Sequence, residues 1–272
     1  MTLHEEGDHL YSSFDLEGPI FFEGQAVALL PVDPSLVHPL MDGVLYRLLR
    51  ACPQLSLVLA IPASFLAHSD PEHRMSWGRR LVRRLWAGDT TLSNRIRMLP
   101  HVVGNRRMME LLRLSDLALD TFPVGSSPQV FAYALGVGTP VVCLDSGVLD
   151  ISSKHGELEL RGLMKSAMDA GRYFNLSVQA TGTLPWRPSV SVLSAFYKRH
   201  NLSELVASSA IDYAHIAERL STDKEYGYSI RVRILEVIDS NENIPDLHGD
   251  FIDLERFIER TGAQYAHDRA NR

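Results

Sequence analysis

Five short apolar runs punctuate the chain without alternating with polar residues: AVALL at 26–30, LSLVLAI at 55–61, IRML at 96–99, LALD at 117–120 and PVVCL at 140–144. A strand with one solvated face alternates, whereas a strand covered on both faces by helices reads as a continuous apolar run. Stretches with helical spacing lie between these runs. Asp33 or Ser35 can cap a helix whose Leu40, Val44, Leu45, Leu48 and Leu49 form one apolar stripe. Further helices are predicted over 71–87, with Trp77, Leu81 and Leu85 on one side and arginines on the other, and over 105–115 and 128–137. This alternation predicts a parallel sheet with helices on both faces, a doubly wound α/β domain over about 25–150.

The remaining segments read differently. Residues 1–24 are mixed and aromatic and read as an N-terminal arm; 151–201, with Pro185, Trp186 and Pro188, reads as an insertion or lid; 202–272 reads as C-terminal helices packing on the lobe. The net charge of −6 argues against a nucleic-acid surface, and the locally basic RRLVRR is read as a solvated helix face. Only Cys52 and Cys143 are present, which speaks against a disulfide framework or cysteine metal site and for a reducing, cytoplasmic setting. No apolar run is long enough to span a bilayer, and the acidic N-terminus is unlike a signal peptide. The eleven histidines are scattered without metal-ligand spacing, and no GxGxxG, Walker lysine or GxSxG is found.

Ligands of doubly wound sheets bind outside the carboxyl ends of the strands. That rule gathers Pro31, Pro62, Pro100 to Val103, Thr121 to Ser127 and Asp145 to Gly147 around one crevice. The stretch TFPVGSSPQVFAYALGVGTPVV, 121–142, has the most chemistry. Pro128 suits the first helical position and Ser127 the N-cap. The N–H groups of Ser127, Gln129 and Val130, backed by the helix dipole, favour an anion; the Ser126 and Ser127 hydroxyls add donors, and Gly125 permits close approach. The same residues also describe a plain strand-to-helix turn in which Ser127 caps the helix, and the sequence leaves both readings open. Lysine occurs only at 154, 165, 198 and 224, so a phosphate clamp in the first half must be arginine or backbone.

DLALDTFPVGSSPQVFAYALGVGTPVV resembles the nucleotide-sugar loop of glycosyltransferase family 41, the O-GlcNAc transferases, SPINDLY proteins and bacterial cytoplasmic N-glucosyltransferases. The resemblance extends to PVDPSLVHPLMDGVLYRLLRACPQLSLVLA and NRIRMLPHV before the loop, and to DYAHIAERLSTDKEYGYSIRVRILE, 212–236, and FIDLERFIERTGAQY, 251–265, after it. It implies the C-terminal Rossmann-like lobe of a GT-B enzyme, acting without metal on a UDP-sugar, with acceptor protein or peptide as second substrate. An N-terminal lobe, from a longer parent chain or a partner, is then expected. It further implies that Gly125, Ser126, Ser127 and Gln129 hold the diphosphate, with Thr121 on the rim, and that His101, Val102 and Val103 face the uracil.

The chain departs from the family in two features. Pro31 stands where the family has a lysine that neutralises the leaving diphosphate, and Ala132 and Tyr133 stand where it has an acid for the ribose. Arg47, Arg50, Arg106, Arg107, Arg161, Lys165 and Arg199 are the candidate replacement cations. Two functions are therefore carried forward: a UDP-sugar glycosyltransferase acting on protein Ser, Thr or Asn, and a non-catalytic module that keeps the fold to bind a nucleotide sugar or a protein.

Overall fold

In the computed structural model, which describes residues 25–62, 71–86, 90–99, 103–122, 125–145 and 192–240, strands and helices alternate as the apolar runs predict. In chain order they are β1 (Ala26–Leu30), α1 (Leu40–Ala51), β2 (Leu55–Leu59), α2 (Pro71–Trp86), α3 (Thr90–Ser93), β3 (Ile96–Met98), α4 (Asn105–Leu114), β4 (Leu117–Leu119), α5 (Pro128–Gly136), β5 (Val141–Leu144), α6 (Val192–Arg199), β6 (Val206–Ala207), α7 (Ala210–Thr222) and α8 (Lys224–Ser240). Every residue of β1, β2, β4 and β5 is buried, which is why these runs do not alternate. The expected arm at 1–24, the insertion up to residue 191 and the helix expected over 251–265 lie outside the described residues.

The strands form one parallel sheet in the order β3-β2-β1-β4-β5-β6. The order runs outward from β1 in one direction and from β4 in the other, so the topological switch point lies between β1 and β4. β6 is a finding that the apolar pattern did not predict: Val206 and Ala207, from the segment read as C-terminal helices, pair with Cys143 and Leu144 of β5.

Two side-chain devices and one backbone turn order the helices around this sheet. Buried Tyr197 of α6 accepts the N–H of Val141 at 3.1 Å, satisfying the start of β5. Ser209 caps α7 by accepting the N–H of Asp212 at 3.0 Å, and Asp212 in turn accepts the N–H of Ser208. α5 ends in a pair of bonds from Gly138 N–H to Leu135 and from Thr139 N–H to Ala134, with Gly138 at φ +72°. This left-handed residue turns the chain directly into β5.

Candidate functional site

The carboxyl end of β4 is tied down from three sides. The Asp120 N–H donates to Val142 O at 2.9 Å, and its carbonyl accepts the Tyr213 hydroxyl at 2.8 Å. Its buried carboxylate accepts the N–H of Ser126 at 2.7 Å, tying the end of β4 to the start of α5. The Phe122 ring meets Tyr213 edge to face, with centroids 5.8 Å apart. Burial pushes the Tyr213 phenol well above its usual range, and the neighbouring Asp120 carboxylate adds to the shift, so Tyr213 stays a neutral donor.

This scaffold presents Ser126 and the start of α5. Ser126 is only 6% exposed, and its hydroxyl has no hydrogen-bond partner among the described residues. Buried hydroxyls are normally paired, so such an orphan marks a place where a ligand or water completes the bonding. Ser127 takes the N-cap position with extended backbone and Pro128 follows at the first helical position, as their order predicts. The Ser127 hydroxyl, however, makes no cap bond to the helix. The Ser127 carbonyl accepts the N–H of Val130 at 3.0 Å, so Val130 is not one of the outward donors expected from sequence. The N–H groups of Ser127 and Gln129 bond to no acceptor among the described residues. A helix N-terminus with two such N–H groups and two uncommitted hydroxyls is chemically an anion cradle.

The other predicted positions divide. Thr121 is buried at the loop's base and Gly125 is half-buried within it. The Gln129 amide donates to the Tyr133 hydroxyl at 2.8 Å, one helical turn on, where the family carries its acid. Val103 bridges to Pro62 and donates its N–H to Ile61 at 2.8 Å, so that N–H is committed to the sheet edge. His101 and Val102 lie outside the described residues. Pro31 is buried after β1, and Asp33 accepts both the N–H and the hydroxyl of Ser35, capping a short 3-10 turn.

Among the candidate cations, Arg106 and Arg107 pair with Glu110 on the exposed side of α4, and Arg50 lies over the Tyr46 ring at 5.7 Å. Arg47 and Arg199 are exposed, while Arg161 and Lys165 lie outside the described residues. Sequence reasoning placed Asp145 at the crevice but not its ion pair with Lys198, and it missed Asp120 and Tyr213 as the residues that fasten this edge. Asp120 carries a readable signal, a lone acid closing an apolar strand. Tyr213 and the Lys198 partner of Asp145 carry none, because each lies far along the chain from the residue it bonds. Among the described residues no group of three His, Cys, Asp or Glu side chains is placed to hold a metal, and no helix is long and apolar enough to cross a membrane.

No family model and no curated protein matches the chain. Among solved structures, a point mutant of the O-GlcNAc transferase of Thermobaculum terrenum superposes on 93% of this chain with TM-score 0.56 at 20% identity. The fold is a GT-B Rossmann-like lobe. The chain spans 39% of that neighbour's length. Two further glycosyltransferase structures align more distantly: the C-terminal CMP-Kdo binding domain of WaaA from Acinetobacter baumannii (TM-score 0.41, 12% identity, 86% of this chain and 96% of that one), and a UDP-forming trehalose-phosphate synthase from Burkholderia vietnamiensis (TM-score 0.35, 13% identity, 84% and 48%). The GT-B lobe agrees with the fold that the loop's resemblance implies.

Proposed function

We propose that this chain is the donor-binding lobe of a nucleotide-sugar-dependent glycosyltransferase that uses a UDP-sugar and modifies Ser, Thr or Asn of a protein. The observation that carries the reading is the buried Ser126 hydroxyl, without a partner among the described residues, beside a helix N-terminus that Ser127 does not cap. A diphosphate would satisfy the Ser126 and Ser127 hydroxyls and the N–H groups of Ser127 and Gln129 together. As the sugar departs, negative charge grows on the β-phosphate, and preorganised donors aimed there lower the barrier. Asp120 contributes by position: by holding the Ser126 N–H it fixes the backbone that carries the hydroxyl before the donor arrives. The acceptor-side chemistry falls to a second GT-B lobe, since one such lobe forms only half of the cleft.

A second reading, a non-catalytic nucleotide-sugar or protein-binding module, is favoured by the uncharged Pro31 and by the neutral Gln129–Tyr133 pair in the place of an acid. UDP release from UDP-GlcNAc and UDP-glucose separates the two. Turnover by the full protein that is lost in the Ser126→Ala, Ser127→Ala double variant supports the enzyme. UDP binding without turnover in the presence of any supplied acceptor lobe supports the module. Absence of both binding and turnover overturns the donor site.

A further inference from the structure

We propose that Lys198 is the phosphate-binding cation of this site, held in reserve by Asp145. The inference rests on the diphosphate reading of the Ser126 loop. Lys198 Nζ lies 2.7 Å from a carboxylate oxygen of Asp145, and both side chains are partly exposed. Asp145 directly follows β5, so it stands at the carboxyl edge of the sheet, the edge on which the loop lies. The parallel register pairs Ala118 with Val141 and Leu119 with Val142, and Asp120 donates its N–H to Val142, so β4 and β5 end side by side with Asp120 and Asp145 leaving the same edge. Adjacent strands are about 4.8 Å apart, so Asp145 leaves the sheet one strand away from the strand that Asp120 closes. α6, which carries Lys198 in its last turn, packs against both β5 and α5, the helix whose N-terminus forms the cradle.

The charge balance of the edge gives the pair its purpose. Pro31 supplies no charge after β1, and the buried Asp120 carboxylate next to Ser126 opposes a bound diphosphate. Among the described residues lysine occurs only at 198 and 224, and Lys224 is bound to Asp116, which precedes β4 at the opposite edge. An exposed ion pair contributes little to stability, so a lysine on a flexible stem leaves Asp145 at small cost. A diphosphate seated on the helix N-terminus carries more charge than one carboxylate and draws Lys198 to it. In the empty protein the same lysine neutralises Asp145 and keeps the edge from accumulating negative charge.

The two halves of the pair therefore have opposite effects on binding, which a structural ion pair would not produce. Calorimetric titration of the full chain with UDP is the test, with thermal melts confirming that the variants fold. Lys198→Met is expected to weaken UDP binding by about tenfold or more, the loss of one charge-assisted contact. Lys198→Arg retains most of the affinity, and Asp145→Asn tightens binding because the competitor for Lys198 is gone. Wild-type affinity in Lys198→Met, or equal weakening in Lys198→Met and Asp145→Asn, overturns the assignment while leaving the loop reading intact. A wild-type chain that binds no UDP overturns the loop reading, and this assignment with it.

Discussion

The carboxylate of Asp120 accepts the backbone N–H of Ser126 at 2.7 Å, so one end of the loop is fastened by the acid that closes β4. The bond is buried, and leaving that N–H without an acceptor carries a desolvation penalty. Asp120→Ala is expected to lose about 1–3 kcal/mol of stability, the range for one unmade buried bond. Asp120→Asn retains an acceptor oxygen and loses less. Urea unfolding of the two variants checks the order; equal losses would contradict it.

Ser126 makes the opposite case. Its hydroxyl is buried without a partner among the described residues, so removing it takes away a desolvated group and no bond. Ser126→Ala is expected to leave stability within about 0.5 kcal/mol of wild type or to raise it. A residue kept at a cost to stability suits a ligand site better than a structural one. Melting curves with and without UDP read both effects, and a clear loss of stability in the absence of ligand would assign the hydroxyl to the fold.

Tyr213 joins the site to α7. Tyr213→Phe keeps the ring packing on Phe122 but leaves the Asp120 carbonyl without its phenolic donor, costing about 1–3 kcal/mol. The loss is expected to appear in chemical denaturation and as weaker UDP binding, because the loop's base loosens.

Alkaline pH should destabilise the protein through its buried acids. Burial pushes the Cys52 thiol up to about 11 from 9.0, and burial likewise holds the phenols of Tyr197 and Tyr213 well above 10.0. In each case the folded-state value lies above the unfolded one, so the stabilisation is complete below the unfolded value. It falls as pH rises, because the unfolded chain releases protons that the folded chain retains. For Cys52 the window runs from pH 9.0 to about 11, at up to about 1.4 kcal/mol per pH unit for each such group. Denaturant midpoints at pH 8, 9.5 and 10.5 check the slope, which Cys52→Ala reduces.

Gly138 tests the hinge between α5 and β5. Its φ of +72° is disfavoured for other residues, and an added Cβ would stand 2.9 Å from Leu235 Cγ. Gly138→Ala is expected to cost about 1–2 kcal/mol from the left-handed backbone alone, with repacking of Leu235 added. A melting temperature equal to wild type would contradict the account of the turn.

Much of this architecture is legible in the residues because burial on both faces leaves a plain trace. AVALL, LSLVL and VVCL admit few environments other than the middle of a doubly covered sheet, and Ser127 with Pro128 signals a helix start. What escapes is short or distant. Val206 and Ala207 are too few to show a period, and their pairing depends on Leu205 and Tyr197 being brought beside β5. The Asp145–Lys198 pair joins residues 53 positions apart, with nothing local to couple them. At the loop, the hydroxyls of Ser126 and Ser127 were readable as donors, but their freedom was not, because it depends on Asp120 taking the Ser126 N–H and on Ser127 failing to cap.

The central claim is that the start of α5 holds a diphosphate. Calorimetric titration of the purified chain with UDP, beside the Ser126→Ala, Ser127→Ala double variant, tests it most directly. The account predicts wild-type binding in the micromolar range, about −8 kcal/mol, with marked weakening in a double variant that melts like wild type. No heat at millimolar UDP, or equal affinity in the two proteins, would contradict it.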